Sequence, residues 1–189
     1  MSASFHKPEA GFEHQSKMPD VPPPEALPST QELLRAGNAD LPESMRSYLS
    51  RDRPIDVRIV DASRYASREP RPATQSIWLK SNGPLNGNAY INQAVLAYAS
   101  DFTLLDTALV AHGKLLFDSD IQLASLDHAM WFHRPFRADD WLLYVQDSPT
   151  ASGARAYCRG AIFDRQGQLV ASAVQEGLMR PRETAFLPK

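Results

Sequence analysis

Residues 90–101 read YINQAVLAYASD, and this stretch limits the fold more than any other. Ile91, Ala94, Val95 and Tyr98 recur at i, i+3, i+4 and i+7, which lines them along one face of an amphipathic helix and not on alternate sides of a strand. Asn88 stands where an N-cap belongs. After Ile121 the apolar residues alternate with period two, as strands do. A helix in that company must find its apolar cover on the sheet, so the expected class is α+β: a long central helix wrapped by a curved antiparallel β-sheet.

Two strand candidates precede the helix, at 55–60 and 75–80, and a further helical turn or two is expected over 101–111, with Phe102, Leu105 and Leu109 on one side. Residues 121–133 read as the longest strand, with Ser125 and Asp127 on one face, and Pro135 stops it. Strands at 141–145, 154–164 and 169–180 complete the antiparallel run, the last two joined by a tight turn at Gln166-Gly167. Small residues share one face of each of these last strands: Ala154, Ala156, Cys158 and Gly160, then Ala171, Ala173 and Gly177. Such faces leave room for a helix to lie close. They also strand one carboxamide, Gln175, among side chains too small to hide it.

Ahead of the strands, prolines gather between 18 and 53 (Pro19, Pro22, Pro23, Pro24 and Pro28), which marks an extended linker of limited freedom. Ser29-Thr30-Gln31-Glu32 forms a capping box that starts one short helix within it, and Gly37 is placed to end that helix. Residues 1–17 resemble the tail of a preceding unit, since 3–6 would pass for the end of a strand with no partner before it. A main domain at 54–182 and a tail at 183–189 complete the division.

The 189 residues, 43% hydrophobic and 22% charged, suit a globular chain with a proper core. A net charge of -2 without a basic block gives no footprint for nucleic acid or an anionic membrane surface. One cysteine, Cys158, forms no internal disulfide. No apolar run reaches the length of a membrane span and no signal peptide is read, so the cytoplasm is the default location.

For chemistry, no metal is expected, because His128 and His133 are five apart on a strand and face opposite sides. No cofactor fingerprint is present: there is neither a phosphate-cradling glycine loop nor a Gly-x-Ser-x-Gly elbow. What remains is an acid with polar partners. Asp101 follows the helix, Ser125 lies along the long strand and Gln175 lies in the last one, so a curled sheet could gather all three around one water molecule. Asp101 serves equally well as N-cap of a helix beginning at Phe102, and Asp127 is a rival acid.

The segments LDHAMWFHRPFRADDWLLY, SPTASGARAYCRGAIFDRQGQLVAS and VQEGLMR closely resemble the C-terminal half of the acyl-CoA thioesterase II family, the double hot-dog thioesterases of bacteria and peroxisomes. AYASDF and FHKPEAGFEHQ match the same family. The resemblance implies a hot-dog fold and hydrolysis of fatty acyl-CoA to free acid and CoA, without a covalent enzyme intermediate. It carries the family's catalytic Asp onto Asp101, its Thr or Ser onto Ser125 and its Gln onto Gln175. Family members hold two hot-dog units; here the first is expected to be missing except for its closing strand. Self-pairing into a homodimer or higher oligomer follows as an expectation, with residues 4–15 docked on a neighbour or poorly ordered. A catalytically silent hot-dog unit that binds acyl-CoA or serves as a structural module is the alternative, and a hot-dog dehydratase ranks last.

Overall fold

The computed structural model describes residues 2–7, 9–35, 46–47, 50–51, 53–65 and 67–182. The expected end of the short linker helix at Gly37 and the tail at 183–189 lie outside them. A capping box starts α1 (Thr30–Arg35): the Glu32 carboxylate accepts from the Ser29 amide at 2.7 Å, and the Glu32 amide donates to Ser29 Oγ at 3.1 Å.

Seven antiparallel strands form one sheet. They are β1 (Ile55–Ile59), β2 (Thr74–Ser81), β3 (Ile121–Ser125), β4 (Ala129–Phe132), β5 (Leu142–Ser152), β6 (Arg155–Phe163) and β7 (Leu169–Pro181). The spatial order is β1-β2-β5-β6-β7-β3, and β4 pairs with β7 beyond the end of β3. Among the described residues two helices, α2 (Ala89–Ser100) and α3 (Asp106–Val110), lie against it. The helical part thus comes as a twelve-residue helix and a five-residue one, with all of α3 buried.

The helix at 89–100 starts as its sequence demands, with Asn88 Oδ1 accepting from the Tyr90 amide at 2.9 Å. Its inward face is not the expected one. Asn92, Leu96, Ala99 and Ser100 are buried, whereas Ile91 and Tyr98 are 43% and 57% exposed. Asn92 can face inward because its carboxamide is satisfied there: Oδ1 accepts from the Ala138 amide at 2.6 Å and Nδ2 donates to Asn88 O at 2.9 Å. The stripe Ile91, Ala94, Tyr98 looks outward, with Val95 at its margin.

A second correction concerns the long strand at 121–133, which is broken after Ser125. Ser125 lies opposite Gly177 and Ala129 opposite Val174, so four steps on this side match three on β7. The extra residue is a β-bulge, and the Leu126 and Asp127 amides both point at Glu176 O, at 3.0 and 3.3 Å. Side-chain parity flips across it: Leu123 and Ser125 face inward on β3, but Met130 and Phe132 do so on β4, opposite Ala173 and Ala171. Asp127 therefore does not share the face of Ser125.

The small-residue faces of β6 and β7 carry the inner core, with Ala156, Cys158, Ala171 and Ala173 at most 1% exposed. A Cβ built on Gly160 would fall 2.1 Å from Cε2 of the buried Tyr144 ring, and one on Gly177 2.4 Å from Leu105 Cδ2. The outer face is covered as well. Met18, Val21 and Leu27 of the linker pack on Trp78, Trp141, Leu143 and Phe163. Trp78 Nε1 donates to Pro22 O at 2.9 Å, and Arg58 Nη1 to Leu27 O at 2.8 Å. Double cover explains why residues 141–145, WLLYV, read as a continuous apolar run instead of alternating.

Gly160→Ala forces Tyr144 out of its place, so the variant is expected to lose about 1–3 kcal/mol of stability. Urea unfolding followed by tryptophan fluorescence reads this as a lower midpoint; an unchanged midpoint would show that the ring gives way freely.

Candidate active site

Three elements converge at the open side of the sheet near the end of α2. Asp101 is the C-cap of that helix, its amide bonded to Ala99 O. It does not cap a second helix: α3 begins at Asp106, preceded by Leu105 with no side-chain cap bond. Ser125 closes β3, just before the bulge. Gln175 sits on the inner face of β7 opposite Cys158, fully buried.

The structure brings these three residues together. Gln175 Nε2 donates to Asp101 Oδ1 in a short hydrogen bond and to Ser125 Oγ at 2.9 Å. Ser125 Oγ donates in turn to Asp101 Oδ1 at 3.5 Å, the long limit of such a bond. Both carboxamide protons are thereby committed, which fixes the amide's orientation. Gln175 Oε1 is buried and has no hydrogen-bond partner among the described residues. A buried acceptor left so costs about 1–3 kcal/mol. Asp101 itself is exposed, so its carboxylate is both held and reachable.

Sequence reasoning missed the next layer. Ser100, the residue before Asp101, is fully buried, and its Oγ lies 2.9 Å from His128 Nε2, 2.9 Å from Ala97 O and 3.1 Å from Met130 Sδ. Its carbonyl accepts from Tyr144 Oη at 3.2 Å. Burial pushes the Tyr144 phenol far above its ordinary range, so it stays a donor. The rival acid Asp127 is occupied elsewhere, its Oδ1 accepting from the Glu176 amide at 2.7 Å. His133 bonds Ser172 Oγ at 2.9 Å. Among the described residues no group of three or more His, Cys, Asp or Glu side chains could hold a metal ion.

Tyr98 is exposed on α2, as are Leu126, Trp131 and Phe132 along the β3–β4 edge, which among the described residues pairs only with β7. A hollow of about 760 Å³ lies elsewhere, beside Pro19 and Val145, and includes none of the three residues.

The model of the acyl-CoA thioesterase family matches residues 52–178 of this sequence. The chain belongs to that family. It is 39% identical to acyl-CoA thioesterase 2 of Haemophilus influenzae, over 95% of this chain and 63% of that protein. The crystal structure of an acyl-CoA thioesterase II from Mycobacterium marinum superposes with a TM-score of 0.70 at 41% identity, covering 93% of this chain and 60% of that one. A protein from Alicyclobacillus acidocaldarius described as having a hot dog fold superposes at 0.66 with 20% identity, over 94% of this chain and 60% of that one, a likeness of fold alone. This thioesterase-family chain thus has the hot-dog architecture and spans between 60% and 63% of the length of these relatives.

Cys158 has no part in this geometry. Burial pushes its thiol pKa up, and the Asp147 carboxylate adds to the rise, so little thiolate forms near neutrality. A colorimetric thiol reagent should leave it unmodified in the native protein and titrate it only in denaturant; rapid native labelling would contradict its burial.

Proposed function

We propose that this chain is the catalytic part of an acyl-CoA thioesterase, hydrolysing fatty acyl-CoA to free fatty acid and CoA. The observation that carries the reading is the gathering of Asp101, Ser125 and Gln175 about one reachable carboxylate. With Oδ1 tied to the carboxamide, the other carboxylate oxygen serves as general base. Water attacks the thioester carbonyl carbon as its proton passes to Asp101. The tetrahedral adduct then collapses, the carbon–sulfur bond breaks, and the proton returns from Asp101 to the departing thiolate. Ser125 and Gln175 orient the water, and no bond forms between substrate and enzyme. The likeness to acyl-CoA thioesterases supports the substrate class.

The same reading includes pairing. Tyr98, Trp131 and Phe132 are exposed, and the β3–β4 edge is free among the described residues, which suits a second hot-dog unit seated against it. We take that unit to be a second copy of this chain, in a homodimer or higher oligomer, with the exposed arm carrying Phe5 and Phe12 reaching toward it. A cytoplasmic setting belongs to the proposal.

Release of free CoA from medium- and long-chain acyl-CoA tests the base: Asp101→Asn should lower kcat by about 10²–10⁴. Equal rates in variant and wild type would remove Asp101 from that role, and no hydrolysis by the wild type would favour a silent binding module. Light scattering is expected to report a dimer or larger; a monomer at assay concentration would overturn the pairing.

A further inference from the structure

The bulged turn between β3 and β4 does more than connect them, because one chain neighbour of Asp101 and one of Gln175 are held by it. Asp127 Oδ1 accepts from the Glu176 amide at 2.7 Å, while the Leu126 and Asp127 amides donate to Glu176 O at 3.0 and 3.3 Å. Glu176 follows Gln175, so both of its backbone polar groups are tied to the turn. One residue further along, His128 Nε2 meets Ser100 Oγ at 2.9 Å, and Ser100 precedes Asp101. Ser125 itself is the first residue of the turn. The four-residue turn Ser125–His128 therefore supplies one member of the triad and grips the chain neighbour of each of the other two.

We propose that Asp127 and His128 are positioning residues, a jig that sets Asp101, Ser125 and Gln175 to mutual hydrogen-bond distance; the inference rests on the thioesterase reading only where it predicts rates. Neither side chain bonds a triad atom in the structure, so both act through their partners. Two features argue that the turn is shaped for this task. The bulge disrupts the ladder at this point, an irregularity whose visible effect is to aim Asp127 at Glu176 and not at the inner face. Ser100 is fully buried with its carbonyl on Tyr144, so its hydroxyl offers a fixed anchor on the inner side, reached by an exposed histidine from outside. The tolerance is narrow, since one carboxamide nitrogen must reach an acid and a hydroxyl from different elements at once, and a displacement near 1 Å suffices to cost up to a hundredfold in rate.

The test compares His128→Ala and Asp127→Ala with the conservative His128→Gln, which keeps a polar atom near the Nε2 position, and Asp127→Asn, which keeps the acceptor. Two readouts are taken on each purified chain after its melting temperature shows that it is folded. One is turnover of acyl-CoA: each alanine variant should lose about tenfold or more in kcat with KM near that of the wild type, and Gln and Asn should recover most of it. The other needs no turnover. The side-chain NH₂ resonances of Gln175, assigned by their loss in Gln175→Glu, should shift and exchange faster with solvent in the alanine variants and return in the conservative ones. Unchanged Gln175 resonances in both alanine variants overturn the proposal whatever the rates. Shifted resonances in a chain whose turnover is absent, or indifferent to Asp101→Asn, sustain the jig and sink the thioesterase reading instead.

Discussion

Gln175 is a carboxamide fully buried on the inner face of the sheet, and its two N–H groups must find acceptors there. It finds Asp101 and Ser125. That requirement couples three elements that share no local sequence: the end of α2, the end of β3 and the middle of β7. Were the carboxamide left without them, the desolvation of an unpaired amide, about 1–3 kcal/mol, would fall on the core itself. A stability constraint and a site geometry are here the same set of bonds.

The sheet makes this possible by being thin on its inner side. Alanine, cysteine and glycine on β6 and β7 let α3 and the α2–α3 connection sink onto the strands, with Leu105 against Gly177 and the Tyr144 ring against Gly160. The C-terminal end of α2 is drawn down with them, and Asp101 arrives at the level of the strands instead of above them. Larger inner residues would raise the helices and separate the acid from the amide.

The two faces of the sheet are treated differently. Outside, the chain provides its own cover, because the proline-rich segment lies along the strands and hides Trp78, Leu143 and Phe163. Burying side chains such as Leu143 and Phe163 contributes about 1.5–3 kcal/mol each, which gives that segment a structural part well beyond linkage. Near the site the described residues provide nothing comparable: Tyr98 and Leu126, close along the chain to Asp101 and Ser125, remain in contact with solvent, as do Trp131 and Phe132 further along the β3–β4 edge.

Much of this was legible beforehand. Alternation located the strands, Asn88 marked the start of α2, the small residues of β6 and β7 announced a close approach, and a lone glutamine among alanines stood out as a group in need of partners. The family motifs singled out the same three polar residues. Less legible was the phase of the helix: YINQAVLAYAS is apolar almost all round, so period 3.6 identifies a helix without saying which stripe turns inward, and the Ala138 amide waiting for Asn92 settled it. Strand parity was equally hidden, since one extra residue at the bulge reverses every side chain beyond it while the apolar pattern reads on unbroken. The sequence by itself determined which segments are helix and strand and which residues are too small, or too polar, for an ordinary core. Only the tertiary structure decided which faces meet, that Asp127 turns to the backbone of Glu176, and that His128 reaches Ser100, because those choices depend on partners supplied by distant segments and not on any period within one.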